Sequence, residues 1–233
     1  MFFGLDLTSA AMWSAFGSIM LANIVLSGDN AVVIAMAARS LKPEQQKPAI
    51  FWGSAAAIVM RIILTLVAIQ LLSMPYLKMV GAILLVYIGV DLLSGGDDGE
   101  GEGKEINGLS AAIRTILIAD LVMSLDNVLA VAAAAKGNTT LLVLGLLISI
   151  PLIIFGSTLL MKVMERFPII ITLGAALLGF LAGEMLLTDP AFEGWFGKMG
   201  EQTILFAGVI GAAIVVTLGL WLQKRGKVST PAD

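Results

Sequence analysis

The sequence predicts an all-α polytopic membrane protein: seven transmembrane helices, built as a 3+3 inverted repeat with a seventh helix appended. Three observations carry that prediction. Hydrophobic residues make up 58% of the chain and charged residues only 13%, against about 25% charged in a typical soluble domain, and the mean hydropathy is +0.98. Apolar stretches approaching the roughly 20 residues needed to cross a bilayer recur along the whole chain. A Ser-x-Asp-Asn motif occurs twice, at 27–30 and 124–127, each time inside such a stretch.

Hydropathy places the spans at about 11–38, 49–72, 77–94, 110–135, 139–160, 168–188 and 203–223. The first carries Asp29. It lacks the basic flank and small-residue cleavage site of a signal peptide, so it is expected to be retained. The second contains Arg61. The third is Gly-rich and ends near Asp91. Residues 95–108 (GGDDGEGEGKEING) form a Gly-rich acidic linker. Its plain reading is a solvated connection, and its sharper one a device that concentrates cations at the inner mouth. The fourth span carries Asp120 and Asp126, the fifth and sixth follow after short connections, and Glu184 lies near the end of the sixth. Residues 189–202, with Pro190, Trp195 and Phe196, are expected to lie at the membrane interface before the last span.

The two halves, 11–94 and 110–188, read as copies of one unit. Aligning 22–38 with 119–135 gives eight identities in seventeen positions, among them Ser27/Ser124, Asp29/Asp126 and Asn30/Asn127. Residues 81–93 align with 174–186: Gly81/Gly174, Ala82/Ala175, Leu84/Leu177 and Leu85/Leu178 match, and Asp91 faces Glu184 in the alignment. The second and fifth spans match poorly. Three helices per copy is an odd number, so the second copy enters the bilayer from the opposite side. Transporters with inverted repeats bind their cargo near the midplane, at interrupted helices. Ser27-Gly28-Asp29 is expected to be one interruption. Unwinding at 124–126 would let Asp120 and Asp126 aim at one ion, because on an unbroken helix they point about 120° apart.

Lys and Arg set the orientation. With the N-terminus outside, ten basic residues fall on the inner side and three on the outer, with Arg61 inside the bundle. The expected location is therefore the cell inner or plasma membrane, N-terminus out and C-terminus cytoplasmic. A net charge of −3 leaves no nucleic-acid footprint, and the chain has no Cys and no His, so a dedicated zinc, copper or haem site is not expected.

The chemistry of the motif is that of hard cations. Asp29, Asn30, Asp126 and Asn127 offer carboxylate and amide oxygens, which Mn²⁺, Mg²⁺ and Ca²⁺ prefer. Asp120 would add a third carboxylate, and Ser27 and Ser124 hydroxyl oxygens. Burying one carboxylate at the bilayer centre costs roughly 3 kcal/mol on insertion scales, and a divalent ion relieves that cost for two. Met36 and Met123 lie close in sequence and would tilt selectivity toward Mn²⁺ or Fe²⁺ if they reached the ion, although methionine in an apolar chain is mostly packing. Asn23, Asp91, Glu184 and Arg61 are candidate pathway residues, and Arg61 is expected to pair with an acid when the ion is absent. Packing supplies the bland alternatives: a structural ion pair for the aspartates, interhelical hydrogen bonds for the Asn and Ser residues.

On these residues the chain resembles the TerC family of integral membrane proteins, named for tellurium resistance. The resemblance rests on Ser-Gly-Asp-Asn at 27–30, Ser-Leu-Asp-Asn at 124–127 and the Gly-rich helices ending in Asp91 and Glu184, and it covers nearly the whole chain. It implies seven helices and export of divalent metal, chiefly Mn²⁺. Other members are tied to calcium, to metal loading of secreted enzymes or to membrane-protein assembly. Members often carry an acid six residues before the motif aspartate. Asp120 matches that pattern before Asp126, whereas Asn23 stands at the equivalent place before Asp29.

The expected function is a secondary transporter, not an enzyme, exporting Mn²⁺ or a similar divalent cation such as Ca²⁺, by proton exchange. Its partners are the metal ion and the bilayer, and no fixed cofactor is expected. Whether the chain forms a homo-oligomer is open from sequence. One rival is a membrane partner that loads metal into, or assembles, secreted proteins such as metalloenzyme clients. A remote rival is an intramembrane aspartyl protease using two aspartates as an acid/base dyad, but its usual Gly-x-Gly-Asp is absent because position 26 is leucine.

Overall fold

In the computed structural model the described residues are 28–72, 74–95, 105–134 and 139–228, together with 13, 14 and 17. Among them every element is helical: α1 (Gly28–Arg39), α2 (Pro43–Leu72), α3 (Leu77–Ser94), α4 (Glu105–Ala134), α5 (Thr139–Arg166), α6 (Ile169–Leu187), α7 (Pro190–Phe196) and α8 (Glu201–Val228). Asn23 and Ser27, and the expected break beside Ser27, fall outside or at the edge of the described residues.

Among the described residues five stretches are long and apolar enough to cross a membrane: Pro43–Thr65, Leu77–Ser94, Leu146–Arg166, Ile169–Leu187 and Glu201–Arg225. They correspond to the second, third, fifth, sixth and seventh spans of the sequence reading. The first and fourth spans lie partly outside the described residues. Several helices run past their hydropathy limits. α4 begins at Glu105, inside the stretch read as linker, α2 begins at Pro43, and α5 continues to Arg166. Hydropathy finds the apolar middle of a helix, while its polar end turns continue the same backbone hydrogen bonding.

The segment after α6 also contains more structure than expected. Asp189 caps a short helix, α7, by accepting the Ala191 N–H at 2.7 Å, with Pro190 at the first helical position. Tyr76 and Trp195 bring their rings to 6.0 Å there.

The bundle is held by small residues at helix crossings. α6 and α8 meet at Gly179, Gly183 and Gly211, so closely that a Cβ on Gly183 would stand 2.6 Å from the Ala207 carbonyl carbon. With no hydrophobic drive between helices in lipid, such close backbone approach is a main source of association. Each half also seats the motif helix of the other. α1 packs on α5 and α6, and α4 packs on α2 and α3. Gly81 of α3 makes room for Val122 of α4, where a Cβ would come within 2.8 Å. Its alignment partner Gly174, in α6, makes room for Val32 and Met36 of α1, each 2.7 Å from the same construction.

Candidate membrane ion site

α1 and α4 bring the two motif regions into one buried neighbourhood. Both helices are rich in Ala and other small apolar residues, which lets α1 pack directly against α4. Asp29 sits in the first turn of α1, half-buried, and its Oδ1 accepts the Asn30 N–H at 2.8 Å. Asn30 is buried. Asp120 and Ser124 are buried on α4, one turn apart on one face as helical spacing dictates.

Arg61 of α2 closes the site. Its side chain is 3% exposed and that of Asp120 6%. The Nη2 group forms an ion pair with Asp120 Oδ1, and Nε–H donates to Ser124 Oγ at 3.0 Å. Ser124 Oγ donates in turn to Asp120 Oδ2 at 3.3 Å. Asp29 lies within Coulombic reach of both Arg61 and Asp120. Asp120, Ser124 and Arg61 thus form a buried polar centre on the helix against which α1, with Asp29 in its first turn, packs. The expectation that Arg61 pairs with an acid is met, and the acid is Asp120.

One expectation changes. The backbone of α4 is helical without interruption through 124–126, so the unwound turn is absent. The local cause is composition: from Ala119 to Ala134 the helix contains neither Gly nor Pro. Asp126 and Asn127 lie on this regular backbone, and their side chains are outside the described set. Met36 is buried with its Sδ against Gly174 of α6, a packing position, and Met123 is likewise in the buried core, as expected of most methionines in an apolar chain. Asp91 and Glu184, partners in the repeat alignment, lie apart in the bundle. α3 and α6 run antiparallel, with Gly81 facing Met185 and Gly89 facing Ala175 and Leu178. Asp91 thus lies level with the start of α6 and Glu184 near its end, about ten residues or roughly 15 Å of helix rise apart.

Asp91 instead borders open space. A cavity of about 310 Å³ lies between α1, α3 and α4, lined by Met36, Arg39, Asp91 and Thr115 among others. A second, of about 520 Å³, shares Asp91 and Thr115 and adds Tyr87 and Arg114. Thr115 precedes Asp120 by five residues, or about 7.5 Å along the helix. These cavities lie toward the end of the bundle that carries Arg39 and Arg114, and neither is lined by Arg61, Asp120 or Ser124.

Sequence reasoning did not single out Asp189, Ser54 or Ser157. Asp189 is buried, and besides capping α7 it accepts the N–H groups of Tyr76, Lys78 and Met79 at 3.0–3.2 Å, so it also caps α3 from the other half. The Asp-Pro pair at 189–190 is a helix-start signal that announces the α7 cap; nothing in sequence announces the second cap. Ser54 and Ser157 are buried hydroxyls with no hydrogen-bond partner among the described residues. Among the described residues no cluster of three acidic, His or Cys side chains forms a ready metal cage.

Known proteins similar to this chain are membrane proteins. The chain is 41% identical over 205 residues to the uncharacterized membrane protein YjbE of Bacillus subtilis (strain 168), covering 88% of this chain and 93% of that one. It is 25% identical over 231 residues to YceF, another uncharacterized membrane protein of the same organism, covering 95% and 87%. Against the inner membrane protein YgdQ of Escherichia coli (strain K12) the identity is 23% over 200 residues, covering 78% and 84%. No solved structure matches. The family model for the integral membrane protein TerC family matches residues 8–227, which takes in both Ser-x-Asp-Asn motifs and all eight helices but for the last residue of α8. A multi-pass helical bundle with paired acidic motifs is thus matched along nearly its full length, and the chain belongs to the TerC family of integral membrane proteins.

Proposed function

We propose that the protein is a secondary transporter that exports a divalent metal cation, Mn²⁺ foremost, across the cell membrane. The observation that carries this reading is a carboxylate, Asp120, buried with Ser124 and Arg61 inside the bundle on α4, the helix against which the Asp29 helix α1 packs. Ion-handling residues inside a membrane bundle pair with one another and mark the pathway. Asp29, Asn30, Asp120 and Ser124 would supply oxygen ligands, with Asp126, Asn127 and Ser27 completing the set from the motif. The cavities beside Asp91 would form the entry of a route from one end of the bundle. The exchanged helix pairings, α1 on α5 and α6 against α4 on α2 and α3, support the inverted repeat.

Export of a doubly charged ion against an inside-negative potential of 100 mV requires about 4.6 kcal/mol. Proton entry is the natural source, since carboxylates that release metal can take up protons. In proteoliposomes, Mn²⁺ flux is expected to rise with a pH gradient acid on the side that receives the metal; indifference to the gradient removes the exchange. Cellular metal content tests the transport itself. Asp29→Ala and Asp126→Ala cells are expected to retain more Mn²⁺ than the wild type, and equal content in all three rejects export.

A further inference from the structure

We infer that Arg61 is a tethered substitute cation: it occupies Asp120 and Ser124 whenever the cargo ion is away, and so neutralises that one acid while the metal-free carrier returns with its protons on the other carboxylates. This rests on the transport reading and adds to it how the site is emptied.

Three observations carry it. The guanidinium occupies the oxygens a metal would need. Its Nη2 takes Asp120 Oδ1, its Nε–H takes Ser124 Oγ, and Ser124 spends its own proton on Asp120 Oδ2. A divalent ion competes with Arg61 for Asp120, because the guanidinium and the Ser124 hydroxyl already hold one lone pair on each carboxylate oxygen and two cations on one carboxylate repel each other. Second, arginine keeps its charge in any protein environment, so it neutralises Asp120 without depending on a proton. A carboxylate left bare in this apolar surround would be strongly unfavourable. Third, the cation follows the carboxylate. In the first half the residue aligned with Asp120 is Asn23, a neutral side chain. The helix that packs on α1 as α2 packs on α4 is α5, and it carries no charged residue from Thr139 through Met161. A guanidinium serving only helix packing would have no reason to appear solely where the extra acid does.

The consequence is kinetic. Exchange of one metal ion for another needs no return of the empty carrier, whereas net efflux does. Removing the substitute cation should therefore lower net efflux relative to exchange. The test uses purified full-length protein in liposomes and compares net Mn²⁺ efflux with exchange of radiolabelled for unlabelled Mn²⁺. In Arg61→Gln the ratio of net efflux to exchange is expected to fall by about tenfold or more, since the bare Asp120 then holds metal or traps the empty site. An unchanged ratio overturns the inference. Arg61→Lys keeps the charge but loses the planar fork, and its ratio is expected to stay near that of the wild type at a lower rate. Should Gln abolish both modes, the Lys variant decides: a ratio as low as about a tenth of the wild type sinks the charge argument. A wild-type protein that moves Mn²⁺ in neither mode fails the transport reading itself, a result separable from all of these.

Discussion

Asp189 illustrates how much one side chain can organise. Its two oxygens accept N–H groups from Tyr76, Lys78, Met79 and Ala191. Burial pushes its carboxyl up, but the backbone donors Tyr76, Ala191, Met79 and Lys78 more than reverse this and hold it below the ordinary value of 3.8. A carboxylate whose pKa is depressed on folding adds stability above its unfolded pKa, and that stability is lost as pH falls through the lower folded value. The clamp is therefore expected to be fully formed at neutral pH and to weaken only below about pH 4. Asp189→Ala leaves three N–H groups at the start of α3 without their acceptor and is expected to cost about 1–3 kcal/mol. Thermal unfolding in detergent at pH 7 measures this; a change under about 0.3 kcal/mol would mean that water replaces the carboxylate. Asp29 and Asp120 were legible in sequence as costly acids in apolar stretches, because bilayer burial makes every such acid conspicuous. Asp189 was not, because it sits just past a span, where a carboxylate is cheap and unremarked.

At the scale of helices, the α6–α8 crossing and the matched pair Gly81 and Gly174 do the holding. Gly183→Leu is expected to destabilise the bundle by about 1–3 kcal/mol, since the intruding Cβ meets Ala207 and Gly208 backbone and cannot be relieved by a rotamer change. Lower yield of monodisperse protein and a lower unfolding temperature would register it; a variant that unfolds like the wild type would show that the two helices slide apart freely. The pairing of α3 with α6 was foreshadowed by the aligned glycines, because small residues are needed wherever backbones approach. The helix ends were misjudged by several residues. Hydropathy responds to transfer into lipid, whereas helix length follows hydrogen bonding and capping. Unwinding at 124–126 would aim Asp120 and Asp126 at one ion; on the unbroken helix Asp120 is instead partnered by Arg61 from α2.

For the whole molecule, the ten-to-three split of basic residues predicts an N-terminus outside and a C-terminus inside. The chain contains no cysteine, so single introduced thiols report sidedness without interference. Lys198→Cys is expected to react with a membrane-impermeant maleimide added to intact cells, and Lys47→Cys only after the membrane is opened. The reverse pattern would invert the topology and with it the direction of transport. Membrane character, the repeated motif and the identity of the acids were fixed by the sequence itself, because lipid imposes one-dimensional rules: a span must be apolar for its whole length, and any charge within it stands out. Which acids meet, that Arg61 already occupies Asp120 and Ser124, and that Asp189 ties the two halves at one end were decided only by tertiary structure. Such contacts join residues 59 to 113 positions apart, and they depend on helix rotation and crossing, which a hydropathy pattern nearly uniform around each helix does not encode.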